Sequence, residues 1–292
     1  MSLSFRGTGV ALVTPFQDDR SVDFDALSRL VDHVISNGVQ YIVALGTTAE
    51  TPTMSEAEKQ AVLRHIVQHN AGRVPLVCGM GGNNTAELVQ QLNNWDLSGV
   101  SGILSVSPYY NKPTQEGIYQ HFKAIAAATR LPVILYNVPG RTGGNILPVT
   151  ALRLASDCSN IVAIKEASGN MAQCMELVAI MPEGFEVLSG DDDLVVPQVA
   201  VGFKGVISVA ANCYTKDFTD MVLAALDGNF NTARMLHYKL LKGTGLLFAE
   251  GNPAGVKCVL NQLGICKNIL RLPLVTVSQN TADAISAELK KM

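Results

Sequence analysis

Lys165 is the residue of this chain best placed to do chemistry. It follows Ile161-Val162-Ala163-Ile164, an apolar run that reads as a strand buried on both faces, and it stands where that strand should end. An ammonium in apolar surroundings is costly unless paired or neutral, and neutral lysine is the nucleophile that forms Schiff bases with carbonyl compounds. Taken alone, a strand-end lysine more often snorkels to solvent or pairs with an acid. The other candidates shift that balance. Tyr136 is a proton carrier, Thr47 and Thr48 are hydroxyl relays or carboxylate donors, and Arg141 is a planar carboxylate clamp. Each has a plainer alternative: packing for Tyr136, a helix cap for the threonines, a surface salt bridge for Arg141. Gathered at one end of a barrel, they would suit imine chemistry on a small carboxylated carbonyl compound.

The elements that must gather them recur along the chain. Short apolar runs fall at Val10–Val13, Tyr41–Leu45, Val74–Cys78, Gly102–Val106, Val133–Tyr136, Ile161–Ile164, Phe185–Leu188 and Gly205–Val209. Helix signals lie between them. Ser55-Glu56-Ala57-Glu58 is a capping box opening a helix that should end near Gly72. Phe24, Leu27, Leu30, Val31, Val34 and Ile35 form one apolar helical face closed by Gly38, and Asn84 or Thr85 can cap the helix through Trp95. Ser168-Gly169-Asn170 can open another before Pro182. Eight such units predict an α/β fold, a (β/α)8 TIM barrel over residues 1–225. Strand signals then stop, and residues 226–292 read as a small C-terminal α-helical domain. A doubly wound open sheet would want a glycine-rich turn after the first strand, where the chain instead has Thr14-Pro15-Phe16.

In such a barrel the active site lies at the C-terminal ends of the strands. Lys165 is the one lysine there: Lys204 precedes its strand, and Lys123, Lys239 and Lys257 fall on helices. All five histidines (His33, His65, His69, His121, His237) fall inside helices too, so no metal site is expected. Asp191-Asp192 reads as turn and helix capping, and Gly79–Asn83 as an ordinary glycine-rich turn rather than a phosphate cradle. A net charge of −3 gives no hint of nucleic acid or of an acidic membrane surface. The six cysteines contain no CxxC pair, which argues for free thiols. No apolar run approaches membrane-spanning length, and Met1-Ser2-Leu3-Ser4-Phe5-Arg6 lacks the layout of a signal peptide, so a cytoplasmic protein is expected.

Several motifs extend this pattern: Gly46-Thr47-Thr48-x-Glu50, Pro108-Tyr109-Tyr110-Asn111-Lys112-Pro113, Tyr136-Asn137-Val138-Pro139-x-Arg141-Thr142, Ile164-Lys165-Glu166-Ala167, Ser189-Gly190-Asp191-Asp192, Gly205-Val206-Ile207-Ser208 and Glu250-x-Asn252-Pro253. Together they resemble the dihydrodipicolinate synthase family of pyruvate-dependent class I lyases, nearly end to end. The resemblance implies that Lys165 forms an imine with pyruvate, whose enamine adds to L-aspartate 4-semialdehyde. The product would be 4-hydroxy-tetrahydrodipicolinate, at the first committed step of the diaminopimelate route to lysine. Tyr136 would shuttle protons through Thr48 and Tyr110, the latter reaching into a neighbouring subunit of a dimer or tetramer. Thr47, Thr48, Ile207 and Gly190 would hold pyruvate, and Arg141 the second substrate's carboxylate. No metal or cofactor is implied, and neither is nucleic acid or a membrane.

The resemblance also implies a regulatory lysine pocket at Thr51, Pro52, Glu56, Lys59, Gly81, Asn83, Glu87 and Tyr109. Lys59, where relatives can carry histidine or glutamate, is expected to weaken it. Two departures stand out. Ala49 replaces a usual glycine, tolerable only if the backbone avoids positive φ. Gly255 replaces a frequent second proline and is expected to loosen a turn. A sister sugar-acid aldolase of the N-acetylneuraminate lyase or 2-keto-3-deoxy type would share the lysine and tyrosine but not Arg141 in this context. A catalytically silent keto-acid-binding relative is the other alternative.

Overall fold

The computed structural model describes residues 4–291. Eight parallel strands close into a barrel in chain order: β1 (Gly7–Ala11), β2 (Tyr41–Ala44), β3 (Leu76–Gly79), β4 (Gly102–Val106), β5 (Val133–Asn137), β6 (Ile161–Glu166), β7 (Glu186–Ser189) and β8 (Gly205–Ser208), with β8 paired back to β1. The helices are α1 (Phe24–Ser36), α2 (Glu56–Asn70), α3 (Thr85–Asn94), α4 (Gln115–Ala127), α5 (Pro139–Thr142), α6 (Pro148–Asp157), α7 (Met171–Ile180), α8 (Val195–Ala200), α9 (Thr215–Leu226), α10 (Phe230–Phe248), α11 (Ala254–Gln262) and α12 (Gln279–Leu289). The barrel expectation therefore holds, and α10–α12 form the C-terminal helical segment.

Local chemistry explains the helices. Asp23 caps α1, which buries Ala26, Leu27, Leu30, Val31 and Val34. Ser55 and Glu58 make the full capping box of α2, while Asn84 caps α3 and Asn170 caps α7. The apolar residues divide into two layers. Val10, Ile42, Leu76, Ile103, Leu135 and Ile164 belong to the layer between sheet and helices, while Ala11, Val43, Val77, Leu104, Ile134 and Ile207 fill the barrel. Asn212, fully buried, stitches the closure by donating to Ala11 O at 2.8 Å and accepting from Val13 N at 3.2 Å.

Strand limits depart from the apolar runs. β1 begins three residues earlier than Val10, at Gly7, because the chain already pairs there with Gly205 of β8. A Cβ on Gly9 would meet the Tyr41 ring at 2.1 Å, so glycine occupies strand positions that an apolar-run search passes over. β6 continues through Lys165 to Glu166, so the lysine is inside the strand rather than just beyond it.

Candidate active site

The direction of Lys165 depends on a bulge. β6 pairs with β5 as Val133 with Ile161, then Ile134 with Ala163, so one residue is skipped. Ile161 packs in the helix-facing layer, Val162 and Ala163 face the barrel, and Ile164 faces the helices again. Strict alternation from Ile161 would have sent Lys165 to the helix side. The extra residue re-phases the strand and turns it inward, opposite Tyr136 on β5 and Leu188 on β7.

Lys165 is 6% exposed, and its Nζ lies 4.2 Å from the centre of the Tyr136 ring. None of the ion pairs among the described residues involves it, so no carboxylate occupies the nitrogen. The amine lines a cavity of about 410 Å³ with Thr47, Thr48, Tyr136, Arg141 and Gly190. At Gly190 a Cβ would come within 3.0 Å of Lys165 Cε, so the missing side chain makes room for the lysine. Ile207 is fully buried in the barrel below. Thr48 is buried and Thr47 exposed, both on a short 3-10 turn, Thr47–Ala49. Ala49 has an ordinary backbone and the positive φ of +58° falls on Glu50, so the alanine fits without strain.

Arg141 lies on α5, a turn of helix the motif did not foretell. It is exposed and makes no ion pair among the described residues, which excludes the structural salt bridge. Arg141 lines the cavity, with no side-chain partner among the described residues. Tyr110 is not brought to this chain's own lysine. It is 88% exposed at φ +74°, an uncommon conformation for an aromatic residue. Of the regulatory candidates, Thr51, Pro52, Lys59, Gly81 and Tyr109 line an adjoining cavity of about 390 Å³, which shares Tyr136 and Arg141 with the first. Glu56 and Glu87 line a neighbouring depression, and Asn83 Nδ2 donates to Tyr109 O at 3.3 Å.

Two buried groups escaped the sequence reading. Glu166, fully buried on the opposite face from Lys165, accepts from Ser168 N at 2.8 Å, Gln173 Nε2 at 3.0 Å and Asn137 Nδ2 at 3.0 Å. It ties the mouth ends of β5 and β6 to α7. Lys257, expected only to fall on a helix, is fully buried on α11 and pairs with Glu50 at 2.5 Å. Its Nζ also donates to Ile269 O at 2.8 Å and lies 4.1 Å from the Phe16 ring centre. Burial holds the Lys257 ammonium below its ordinary pKa, with the Glu50 carboxylate opposing. The signal was present: Glu50 and Lys257 each stand in or beside a quoted motif, but nothing in the spacing links them.

Asp192 accepts from Val209 N and Ala210 N at 3.0 and 2.7 Å, and so caps the 3-10 turn after β8. Asp191 accepts from Gly169 N at 3.2 Å. Burial pushes both carboxyls up to about 6. Gly255 does not loosen a turn: a Cβ there would meet Leu247 O at 2.5 Å, so the glycine lets α11 press onto α10. Among the described residues no cluster of three metal-ligating side chains occurs, and no helix is long and apolar enough to cross a membrane.

A closed parallel (β/α)8 barrel with a buried, carboxylate-free amine at its mouth defines a class I, imine-forming type of site. The family model for the dihydrodipicolinate synthetase family matches residues 4–292, and the chain belongs to that family. It is 52% identical over 289 residues to the 4-hydroxy-tetrahydrodipicolinate synthase of Flavobacterium psychrophilum, covering 99% of each chain. It superposes on the dihydrodipicolinate synthase of Aquifex aeolicus with a TM-score of 0.95 at 43% identity, covering 98% of both. A solved structure described as the first monomeric dihydrodipicolinate synthase variant matches with a TM-score of 0.96 at 40% identity, covering 98% of this chain and 96% of the other. Members of the family work through a pyruvate imine on lysine and need no metal or cofactor.

Proposed function

We propose that this chain is a lyase that condenses pyruvate with L-aspartate 4-semialdehyde to 4-hydroxy-tetrahydrodipicolinate. The observation that carries this reading is the buried Lys165 amine, free of any carboxylate, 4.2 Å from the Tyr136 ring centre in the barrel mouth. Nζ attacks the pyruvate carbonyl carbon, water leaves, and an imine forms. Loss of a methyl proton gives the enamine, whose carbon adds to the aldehyde. The second substrate's amine then attacks the imine carbon, releases Lys165 and closes the ring. Tyr136 carries the protons with Thr47 and Thr48, while Ile207 and Gly190 shape the pyruvate end. The catalytic barrel spans 1–225, and residues 226–292 support it. Borohydride reduction with pyruvate, followed by an aldehyde screen, tests the reading: pyruvate must be trapped, and the enamine must be consumed by the semialdehyde. Consumption by sugar aldehydes alone would assign the chain to the sister aldolases instead.

Arg141 binds the semialdehyde's carboxylate in this scheme. Because the guanidinium is exposed, the contact is weaker than a buried clamp and amounts to about 1.5–3 kcal/mol. Arg141→Ala should therefore lower kcat/KM for the semialdehyde by roughly 10–100-fold, with pyruvate little affected. Equal losses for both substrates would make the arginine a structural element.

The working protein is a cytoplasmic homo-oligomer, a dimer or tetramer. An exposed tyrosine held at positive φ supports a role for Tyr110 in a neighbour's site. Tyr110→Phe should lower kcat by about 10²-fold and still permit pyruvate trapping. Full turnover by isolated monomers would remove Tyr110 from the scheme. L-Lysine should inhibit weakly. Lys59 lines the adjoining cavity, and like charges about 4 Å apart repel by roughly 4 kcal/mol at an effective dielectric near 20. Lys59→Glu should create or strengthen the sensitivity in a lysine titration; strong inhibition of the unaltered enzyme would refute the charge argument.

A further inference from the structure

We propose that Glu166 is a positioning residue whose buried carboxylate acts, across one strand, as a fixed counter-charge for the protonated imine on Lys165. The inference rests on the function proposed above and deepens it. The bulge that turns Lys165 into the barrel turns Glu166 the other way, so the two side chains stand back to back at the end of β6. Glu166 is fully buried, and none of the ion pairs among the described residues involves it.

Its neighbours admit only an acceptor. Ser168 N donates to Oε1 at 2.8 Å. Asn137 Oδ1 accepts from Ile146 N at 2.9 Å, which obliges Asn137 Nδ2 to face Glu166, 3.0 Å from Oε2. The same Nδ2 donates to Asn145 Oδ1 at 2.7 Å, and Asn145 Nδ2 donates to Gln173 Oε1 at 2.7 Å. That leaves Gln173 Nε2 to donate to Glu166 Oε2 at 3.0 Å. Two backbone N–H groups thus set the polarity of the whole network, and a hydroxyl on either Glu166 oxygen would find no acceptor in it.

A buried carboxylate without a cation is costly. The cation this one suits arises during the reaction. When the methyl proton leaves the pyruvate imine, the C–H electron pair moves toward the C=N bond, and a protonated nitrogen receives it. A charge already fixed in a water-poor site stabilises such a cation without reorganisation. The field of Glu166 reaches the cavity side of the strand. Asp191 lines the cavity with Lys165, and its carboxyl is pushed up chiefly by burial, with Asp193 and Glu166 adding and Lys165 opposing.

The test follows reduction of the pyruvate imine by cyanoborohydride, which takes the protonated form, against pH at saturating pyruvate. Glu166→Gln removes the charge and keeps the shape. Its alkaline limb should move to lower pH by about one unit, so that beyond the limb it is reduced about tenfold more slowly than the unaltered enzyme. Glu166→Asp keeps the charge and disturbs the hydrogen bonds, so its limb should stay in place whatever its thermal midpoint does. The ionisable groups facing the imine are Tyr136, Arg141, Asp191 and Asp192, and those facing Glu166 are Cys174 and Asp191; all are the same in both variants. An unmoved limb in Glu166→Gln would overturn the proposal. Equal shifts in the two variants would also overturn it, by reducing Glu166 to a tie between strands and α7. Should Glu166→Gln fold poorly, Glu166→Met, which needs no donors, reads the same limb. Unaltered enzyme that fails to trap pyruvate overturns the proposed function, whereas trapping with a limb indifferent to Glu166 overturns only the counter-charge.

Discussion

Lys165→Ala is expected to take up no pyruvate on borohydride reduction and to lose turnover by about 10⁶-fold or more, to the uncatalysed level. Among the described residues no other amine lines the cavity that holds it. Lys257, the other buried lysine among those described, is engaged by Glu50 and Ile269 and does not line the cavity. The barrel should remain folded, because the substitution removes an amine that no carboxylate neutralises, and groups of this kind serve activity at some cost to stability. Mass spectrometry after reduction, paired with a denaturant melt, reads both halves. Retained mass gain would mean that another nitrogen carries the substrate and that the chemistry has been assigned to the wrong residue.

Lys257→Met should lower unfolding free energy by about 3–5 kcal/mol. The substitution leaves Glu50 buried with half its partners gone; among the described residues the Arg271 backbone N–H, at 3.0 Å, is what remains for its carboxylate. Changing both residues together, Glu50→Met with Lys257→Met, should cost less than Lys257→Met alone, since an apolar pair of similar volume needs no counter-charge. Denaturant midpoints at constant m-value measure this. A midpoint unmoved by Lys257→Met would show that water reaches Glu50 and relieves it.

The barrel was legible because its signals are local. Eight apolar runs at βα spacing, a capping box at Ser55 and an apolar face on α1 each depend on residues within one element. The candidate lysine was legible for the same reason: a cation inside an apolar run is conspicuous wherever it falls. Its orientation was not. Whether Lys165 points into the barrel or toward the helices turns on one skipped residue opposite Val133 and Ile134, and a bulge is a property of two paired strands that neither shows alone. Arg141 was legible as a candidate but not its exposure, because α5 arises only once the chain turns back over the mouth. Lys257 was missed because helix position says nothing about what lies across from it. Gly255 misled because its role is a contact with α10 rather than a local bend.

The clasp between Glu50 and Lys257 also orders events in time. The two residues are 207 positions apart, so on the ribosome the turn bearing Thr48 emerges long before the helix that secures it. Until that helix arrives, Glu50 has only water for a partner, and the turn lacks the anchor that seats it. A nascent chain can close local hairpin-like βα units early, but this contact is among the last available to it. Competence for chemistry therefore trails the growth of the barrel, and a truncated translation product that kept every strand would still carry an unseated threonine turn.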